Sequence, residues 1–134
     1  MGTWGTGVFD NDAACDFASA VVGGGGVRAL DEAVDRIVSS EGDFLEASDA
    51  QEGLAAAEII ARLRGSPGEQ TAYTAAIDAW VKSARAQVPD ELVGKARRAI
   101  ARMLSEPSEL LEAWTESDDI EGWRSAVKAV VRRL

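Results

Sequence analysis

The sequence predicts an all-α fold: a single compact bundle of about six to seven helices with an ordered, Gly/Trp-rich extended N-terminal arm. Three observations predict it. From about residue 12 onward the apolar residues recur at helical spacing almost everywhere. No run alternates with period two for long enough to be a strand, and only residues 3–9 are a candidate for extended structure. The chain has 134 residues, close to the usual size of one domain, so we expect residues 1–134 to form one domain.

The first two helices are separated by a run of glycines. Asp10, Asn11 and Asp12 carry short acceptor side chains that can cap a helix ending near Val22. Residues 23–26 should form a flexible connection, because four glycines hold helical geometry only at a high entropic cost. The second helix turns its apolar residues inward, namely Leu30, Val34, Ile37 and Val38, and its carboxylates outward, namely Asp31, Glu32 and Asp35.

The third helix should lie at the centre of the bundle. Ser48 or Asp49 can cap it, and it runs to about Arg64 with apolar residues nearly all round. Residues 65–68 have the Gly-Ser-Pro-Gly composition of a turn. A fourth helix follows, with a predicted apolar stripe of Tyr73, Ile77, Trp80, Val81 and Ala84.

Three further helices complete the bundle. The fifth begins at Pro89, where the missing N–H costs nothing, and its predicted core residues are Leu92, Ala96, Ile100, Met103 and Leu104. A short helix follows, which we expect Ser105 to cap, with Pro107 inside its first turn. The last helix begins at residues 117–119 and directs Ile120, Trp123, Val127, Val130, Val131 and Leu134 inward.

The composition excludes several kinds of catalytic site. The chain contains 0 histidines, so it lacks the usual general base and the commonest metal ligand. Its single cysteine excludes an internal disulfide or a thiolate zinc site built from this chain alone. Cys15 lies near Asp12 and Asp16, which raise a thiol pKa, so we expect it to be buried and inert. We therefore expect no cofactor, no metal and no catalytic residue.

The formal charge of -9 indicates what kind of partner the chain can bind. Residues 1–60 contain 12 acidic and 2 basic residues, whereas residues 61–134 contain 11 acidic and 12 basic ones. We therefore expect the partner to be a protein with a basic surface, and we do not expect a nucleic acid or an anionic membrane. The start of the chain has no signal-peptide pattern, and no apolar stretch approaches the length of a membrane span. We expect a cytoplasmic protein, and its oligomeric state stays open.

The two ends of the chain resemble a known family. The run MGTWGTGVFDND at residues 1–12 resembles the GxWGxGxFxND opening of the bacterial domain-of-unknown-function family DUF4259. The run SELLEAW at residues 108–114, followed by Trp123 and then by Arg133 and Leu134, is similar to the closing helices of that family. The resemblance implies a small one-domain bacterial protein without an assigned activity, and it carries over no catalytic residue.

We interpret the distinctive residues of this opening as structural: Trp4, Gly5, Gly7, Phe9, Asn11 and Asp12. The glycines let the backbone run close to other elements, the aromatic residues are buried anchors, and the polar pair caps the first helix. The arm should then cross the helices near Trp114 and Trp123 as a strap. The alternative is that Trp4, Phe9 and the neighbouring acidic residues form a ligand pocket.

Two functions from different classes remain. The first is a non-catalytic protein-interaction module, for example an immunity-like or regulatory partner of a basic protein, with Asp31, Glu32 and Asp35 as its candidate interaction face. The alternative is a Mg²⁺-dependent phosphohydrolase that uses the same helical carboxylates, which would require a second acidic helix facing them. The third helix offers only Glu52 and Glu58 for that purpose. The basic stripe of Lys95, Arg98 and Arg102 on the fifth helix is interpreted as intramolecular partners or a solvated face.

Overall fold

A computed structural model describes residues 2–134, and within that range the fold is all-α, as the sequence predicts. The helices are α1 (Asp12–Ala20), a π-helical segment (Val21–Gly25), α2 (Gly26–Val38), α3 (Ala47–Leu63), α4 (Ala75–Ala84), α5 (Asp90–Met103), α6 (Glu109–Thr115) and α7 (Ile120–Arg133). Among the described residues, β-type pairing consists of two isolated bridges. None of the helices in residues 2–134 combines the length and the apolarity that crossing a bilayer requires.

Helix α3 is the central element, as its apolar composition predicts. It contacts each of the other α-helices, and its most extensive contact is with α2. Small residues make this close packing possible. A Cβ at Gly53 would overlap the side chain of Ile37 on α2, so the two helices approach each other more closely than a larger residue would allow. Of the four inward residues predicted for α2, Leu30, Val34 and Ile37 are fully buried, whereas Val38 is half-buried.

The glycine run between α1 and α2 forms a kink, whereas we expected a flexible connection. The backbone of Val21–Gly25 is not helical throughout, and α2 follows it without an intervening loop. Gly24 has φ 139° and Gly26 has φ 58°, values that L side chains rarely adopt. The glycines therefore redirect the helix axis without opening a loop, because the amide of Gly26 still donates to the carbonyl of Val21.

The starts of α4 and α6 differ from the prediction. Tyr73 precedes α4 and is 53% exposed, so the core contribution of α4 comes mainly from Ile77. Helix α6 begins at Glu109 and is capped by Ser108, not by Ser105. The cause is a bridge to the loop before α3: Leu45 donates to the carbonyl of Pro107 at 3.2 Å, which holds the chain extended up to residue 108. Leu104, expected in the core, is 37% exposed.

The N-terminal arm is ordered but doubles back, whereas we expected an extended strap. Thr3 pairs with Asn11 in an antiparallel bridge, and the amide of Trp4 donates to the carbonyl of Asp10 at 2.9 Å. The arm is therefore a closed loop that returns to its own base. Asn11 caps α1, as predicted, because its side chain accepts a hydrogen bond from the amide of Ala14 at 2.8 Å.

Candidate interaction surface at the N-terminal motif

The glycines of the N-terminal loop make room for one carboxylate. The amide of Gly7 donates to Oδ2 of Asp10 at 2.9 Å, which closes the turn. A Cβ built on Gly5 or Gly7 would lie 2.5 or 2.7 Å from that same oxygen, closer than real Cβ atoms come. These glycines therefore make room for the side chain of Asp10 in the same loop, whereas we expected them to let the backbone run close to other elements.

The two aromatic residues of the loop have opposite environments. Phe9 is 6% exposed and belongs to the core, which confirms its predicted role as an anchor. Trp4 is 47% exposed and packs on Tyr73, with ring centroids 5.5 Å apart and planes at 42°. Trp4 is therefore not the buried anchor that we predicted. Side chains of consecutive residues in an extended segment point to opposite sides. The hydroxyl of Thr3 accepts a hydrogen bond from Gln51 of α3, so the side chain of Thr3 faces the helices and that of Trp4 faces away from them.

The inner side of the loop lies where the strap was expected. Loop residues Thr3 and Gly5 line a small crevice together with Trp114 of α6 and Trp123 of α7. The two tryptophan rings stack with centroids 5.9 Å apart and planes at 10°. The N-terminal segment therefore passes near the C-terminal tryptophans, as predicted.

An open apolar groove of about 330 Å³ lies beside the outer side of the loop. We call it the aromatic cleft; it is lined by Cys15, Ala18, Ser19, Val22, Gly23, Tyr73, Ala76 and Ile77, and Trp4 packs against Tyr73 in a tilted arrangement. Five large apolar side chains of the described residues are exposed, and Trp4, Val22 and Tyr73 are three of them. Three of these five exposed side chains therefore lie in or beside the aromatic cleft, and exposed apolar side chains that lie together are typical of binding surfaces.

Two carboxylates lie near the thiol of Cys15, which lines this cleft. Asp12 and Asp16 of α1 make no ion pair within residues 2–134. Burial, together with these two carboxylates, raises the pKa of Cys15 above its ordinary value, as the sequence predicts. The thiol is half-buried instead of fully buried, and it donates to the carbonyl of Phe9 at 3.1 Å. A protonated, hydrogen-bonded thiol is a poor nucleophile.

The candidate face on α2 is partly neutralised within the molecule. Asp31, Glu32 and Asp35 are exposed, as predicted. Nζ of Lys95 lies 2.7 Å from Asp31 and 3.3 Å from Asp35, and the hydrogen bond with Asp31 raises the pKa of Lys95. The intramolecular role expected for the basic stripe is thus confirmed for Lys95. Arg102 also has an intramolecular role, because its guanidinium donates to the backbone carbonyls of Asp43, Ser105 and Pro107.

The carboxylates that the phosphohydrolase hypothesis places on α3 also face cations. Glu52 lies 4.0 Å from Arg36, and Glu58 binds Arg62 and Arg133. Within residues 2–134, no three acidic or thiol side chains converge as a metal site would require. The acidic side chains of α2 and α3 are thus mostly engaged in ion pairs.

Three glutamates around α6 form an acidic surface that lacks counter-ions. We call Glu106, Glu112 and Glu116 the glutamate face; none of them makes an ion pair within residues 2–134. Partial desolvation and the nearby carboxylate of Glu106 raise the pKa of Glu112, and Glu116 adds to the effect. Glu109 has a different role, since it accepts a hydrogen bond from the amide of Ala47 at 2.7 Å and caps α3.

Replacing Glu112 with glutamine should raise the melting temperature slightly at neutral pH. The raised pKa means that folding disfavours the ionised form of Glu112, so its negative charge destabilises the folded chain above that pKa. Below the ordinary glutamate pKa both states hold a proton, and the gain should vanish there. Thermal unfolding of both proteins across acidic to neutral pH measures this. An equal gain at every pH would show that charge repulsion is not its cause.

The sequence interpretation missed a buried ion network beside the loop. Arg62 of α3 donates to Glu58 at 2.9 Å and also binds Asp78 of α4, while Arg133 of α7 donates to Glu58 at 2.8 Å. The side chains of Glu58 and Arg62 are 4% and 2% exposed. Gly68 makes room for Arg133, because a Cβ there would lie 2.8 Å from the guanidinium. The one feature of the sequence that could have indicated this network is the spacing of Glu58 and Arg62, four residues apart in the otherwise apolar helix α3.

An adjoining cleft of about 310 Å³ exposes part of this network. Its lining includes Asp10 of the loop and the hydroxyls of Thr71 and Thr74. The hydroxyl of Thr74 bonds only to residue 71, accepting from its amide and donating to its carbonyl. Since the charged groups bind one another, the network holds α3, α4 and α7 together.

Comparison with known proteins gives one match. No curated protein and no solved structure matches the chain. A family described as "Domain of unknown function (DUF4259)" matches residues 2–126, which includes the N-terminal loop, the aromatic cleft and the glutamate face. The resemblance noted at the two ends of the sequence therefore extends over most of the 134 residues. The chain belongs to the DUF4259 family.

Proposed function

We propose that this protein is a non-catalytic interaction module that binds a protein with a basic surface. A role as an immunity-like or regulatory partner would suit such a module. We further propose that it works in the cytoplasm of a bacterium, where its single free thiol would stay reduced.

The distribution of unpaired carboxylates supports this proposal most strongly. Within residues 2–134, Glu58 in the interior and Asp31 and Asp35 on α2 have cationic partners, whereas the glutamate face, Asp12 and Asp16 make no ion pair. Crowded like charges repel one another, and a cationic surface relieves that repulsion. Complementary charge of this kind also accelerates the encounter of two proteins.

Capture of partners from a lysate of the native host tests the proposal with two matched variants. One reverses the glutamate face (Glu106→Lys, Glu112→Lys and Glu116→Lys), and the other reverses the α2 face (Asp31→Lys, Glu32→Lys and Asp35→Lys). The two variants change the net charge equally. We expect the first to lower recovery of a basic partner about tenfold at physiological salt, which is about 1.4 kcal/mol. The second should lower it less, because Lys95 already neutralises part of that face.

Two results would contradict the proposal. Recovery of the same protein at the same strength by the wild type and by both variants would show that the acidic surface is only solvated. Calorimetric titration with Mg²⁺ addresses the phosphohydrolase alternative, and binding that disappears in the α2-face variant would favour the enzyme.

A further inference from the structure

We propose that the aromatic cleft binds an amphipathic segment of the basic partner. The segment would place an aliphatic or aromatic side chain in the cleft and a lysine or arginine beside Trp4. This inference rests on the proposed function, since it names the surface that anchors the basic protein.

The apolar part of the recognition follows from exposure and shape. Trp4, Val22 and Tyr73 expose 47%, 37% and 53% of their surfaces around one groove. The groove, of about 330 Å³, lies at the lower end of the range for small-molecule pockets, and because it is open to solvent it suits side chains presented by a larger partner. Exposed tryptophan and tyrosine at a depression are the residue types that supply most binding energy in protein interfaces.

The cationic part of the recognition follows from the border of the cleft. Asp12 is separated from Cys15, Ser19 and Val22 by helical spacing, so it shares their side of α1. Residues 1–27 contain no lysine or arginine, and the carboxylates of Asp12 and Asp16 make no ion pair among the described residues. The ring faces of Trp4 and Tyr73 attract a cation as well. The carboxylates and the aromatic rings thus both favour a lysine or arginine side chain of the partner.

Charge also decides between a foreign partner and a second copy of the chain. A symmetric contact through this cleft would bring Asp12 and Asp16 of two copies together, in a protein whose net charge is -9. Like charges oppose such a contact. The basic partner is therefore the occupant that the surface favours.

The chain's single cysteine lines the cleft and provides a local readout of its occupancy. The probe is a synthetic helical peptide of leucine and lysine, and the controls are a serine–lysine peptide of equal charge and a leucine–glutamate peptide. We expect only the leucine–lysine peptide to slow alkylation of Cys15 severalfold. A peptide that merely brought positive charge nearby would lower the thiol pKa and accelerate alkylation, so slowing reports shielding.

Variants locate the contact. Tyr73→Ala and Trp4→Ala should each weaken leucine–lysine peptide binding about tenfold, the effect of an interface hot spot. Phe44→Ala is the matched control, because Phe44 is 55% exposed and does not line the cleft; it should leave the affinity unchanged. All three side chains are exposed, so we expect the variants to fold.

Several results would overturn this inference. In the alkylation experiment, they are an unchanged or faster reaction of Cys15 with the leucine–lysine peptide present, or a slowing by the serine–lysine peptide as large as that by the leucine–lysine peptide. In the binding experiment, it is a loss of peptide affinity in Phe44→Ala as large as that in Tyr73→Ala and Trp4→Ala. Dimerisation of the free chain that Trp4→Ala abolishes would assign the cleft to a second copy. If Tyr73→Ala still captures a basic host protein at wild-type strength, the cleft assignment fails and the proposed function stands. If the wild type captures no basic protein, the proposed function fails as well.

Discussion

Replacing Glu58 with alanine should lower the free energy of unfolding by about 3 kcal/mol, the lower end of the usual cost of breaking a buried ion pair. The reason is that Arg62, whose side chain is 2% exposed, would keep its charge and lose the buried carboxylate that accepts its Nε–H, with only the more exposed Asp78 left to pair with it. Arg133 would lose its contact with the core at the same time. Urea unfolding followed by circular dichroism measures the change.

Glu52→Ala on the same helix is the control. Glu52 lies 4.0 Å from Arg36, both side chains are partly exposed, and such pairs contribute at most about 1 kcal/mol. Equal destabilisation by the two variants would show that the loss of a glutamate from α3 matters and the ion network does not.

The second large effect is expected at Phe9, where alanine should lower the free energy of unfolding by about 3 kcal/mol or more. Phe9 is 6% exposed within the core, so its removal leaves a cavity. Trp4→Ala should cost less than about 1 kcal/mol, because Trp4 is 47% exposed and lies outside the buried core. The urea midpoints of the two variants measure the difference. A larger shift for the Trp4 variant would show that the loop is anchored through Trp4.

The sequence predicts the helices well because apolar spacing and helix breakers are local signals, although α3 begins at Ala47, before the predicted caps Ser48 and Asp49. Helix α3 is central as its composition indicates, α5 follows Pro89, and α7 follows the polar residues at 117–119. The start of α6 could not be predicted in the same way. Ser105 and Ser108 are both reasonable caps, and the choice depends on pairing between Leu45 and Pro107, which are far apart along the chain.

The candidate site was predicted less well because it depends on contacts between distant segments. The sequence marks Trp4 and Phe9 as distinctive, but an antiparallel loop directs one outward and the other inward. The partner of Trp4 is Tyr73, which periodicity assigned to a helix core. The ion network joins Glu58 to Arg133, 75 residues away, and no local pattern reports such a pair.

The association rate between the wild-type chain and the basic host protein that it captures, measured as a function of ionic strength, tests the central claim most directly. Attraction between exposed charges is screened over about 10 Å at 0.1 M salt, so we predict that the rate falls steeply as salt is added. Reversal of the glutamate face should lower the rate at low salt and flatten this dependence. A rate that is independent of salt, and equal for the wild type and the reversed variant, would contradict binding through an acidic surface.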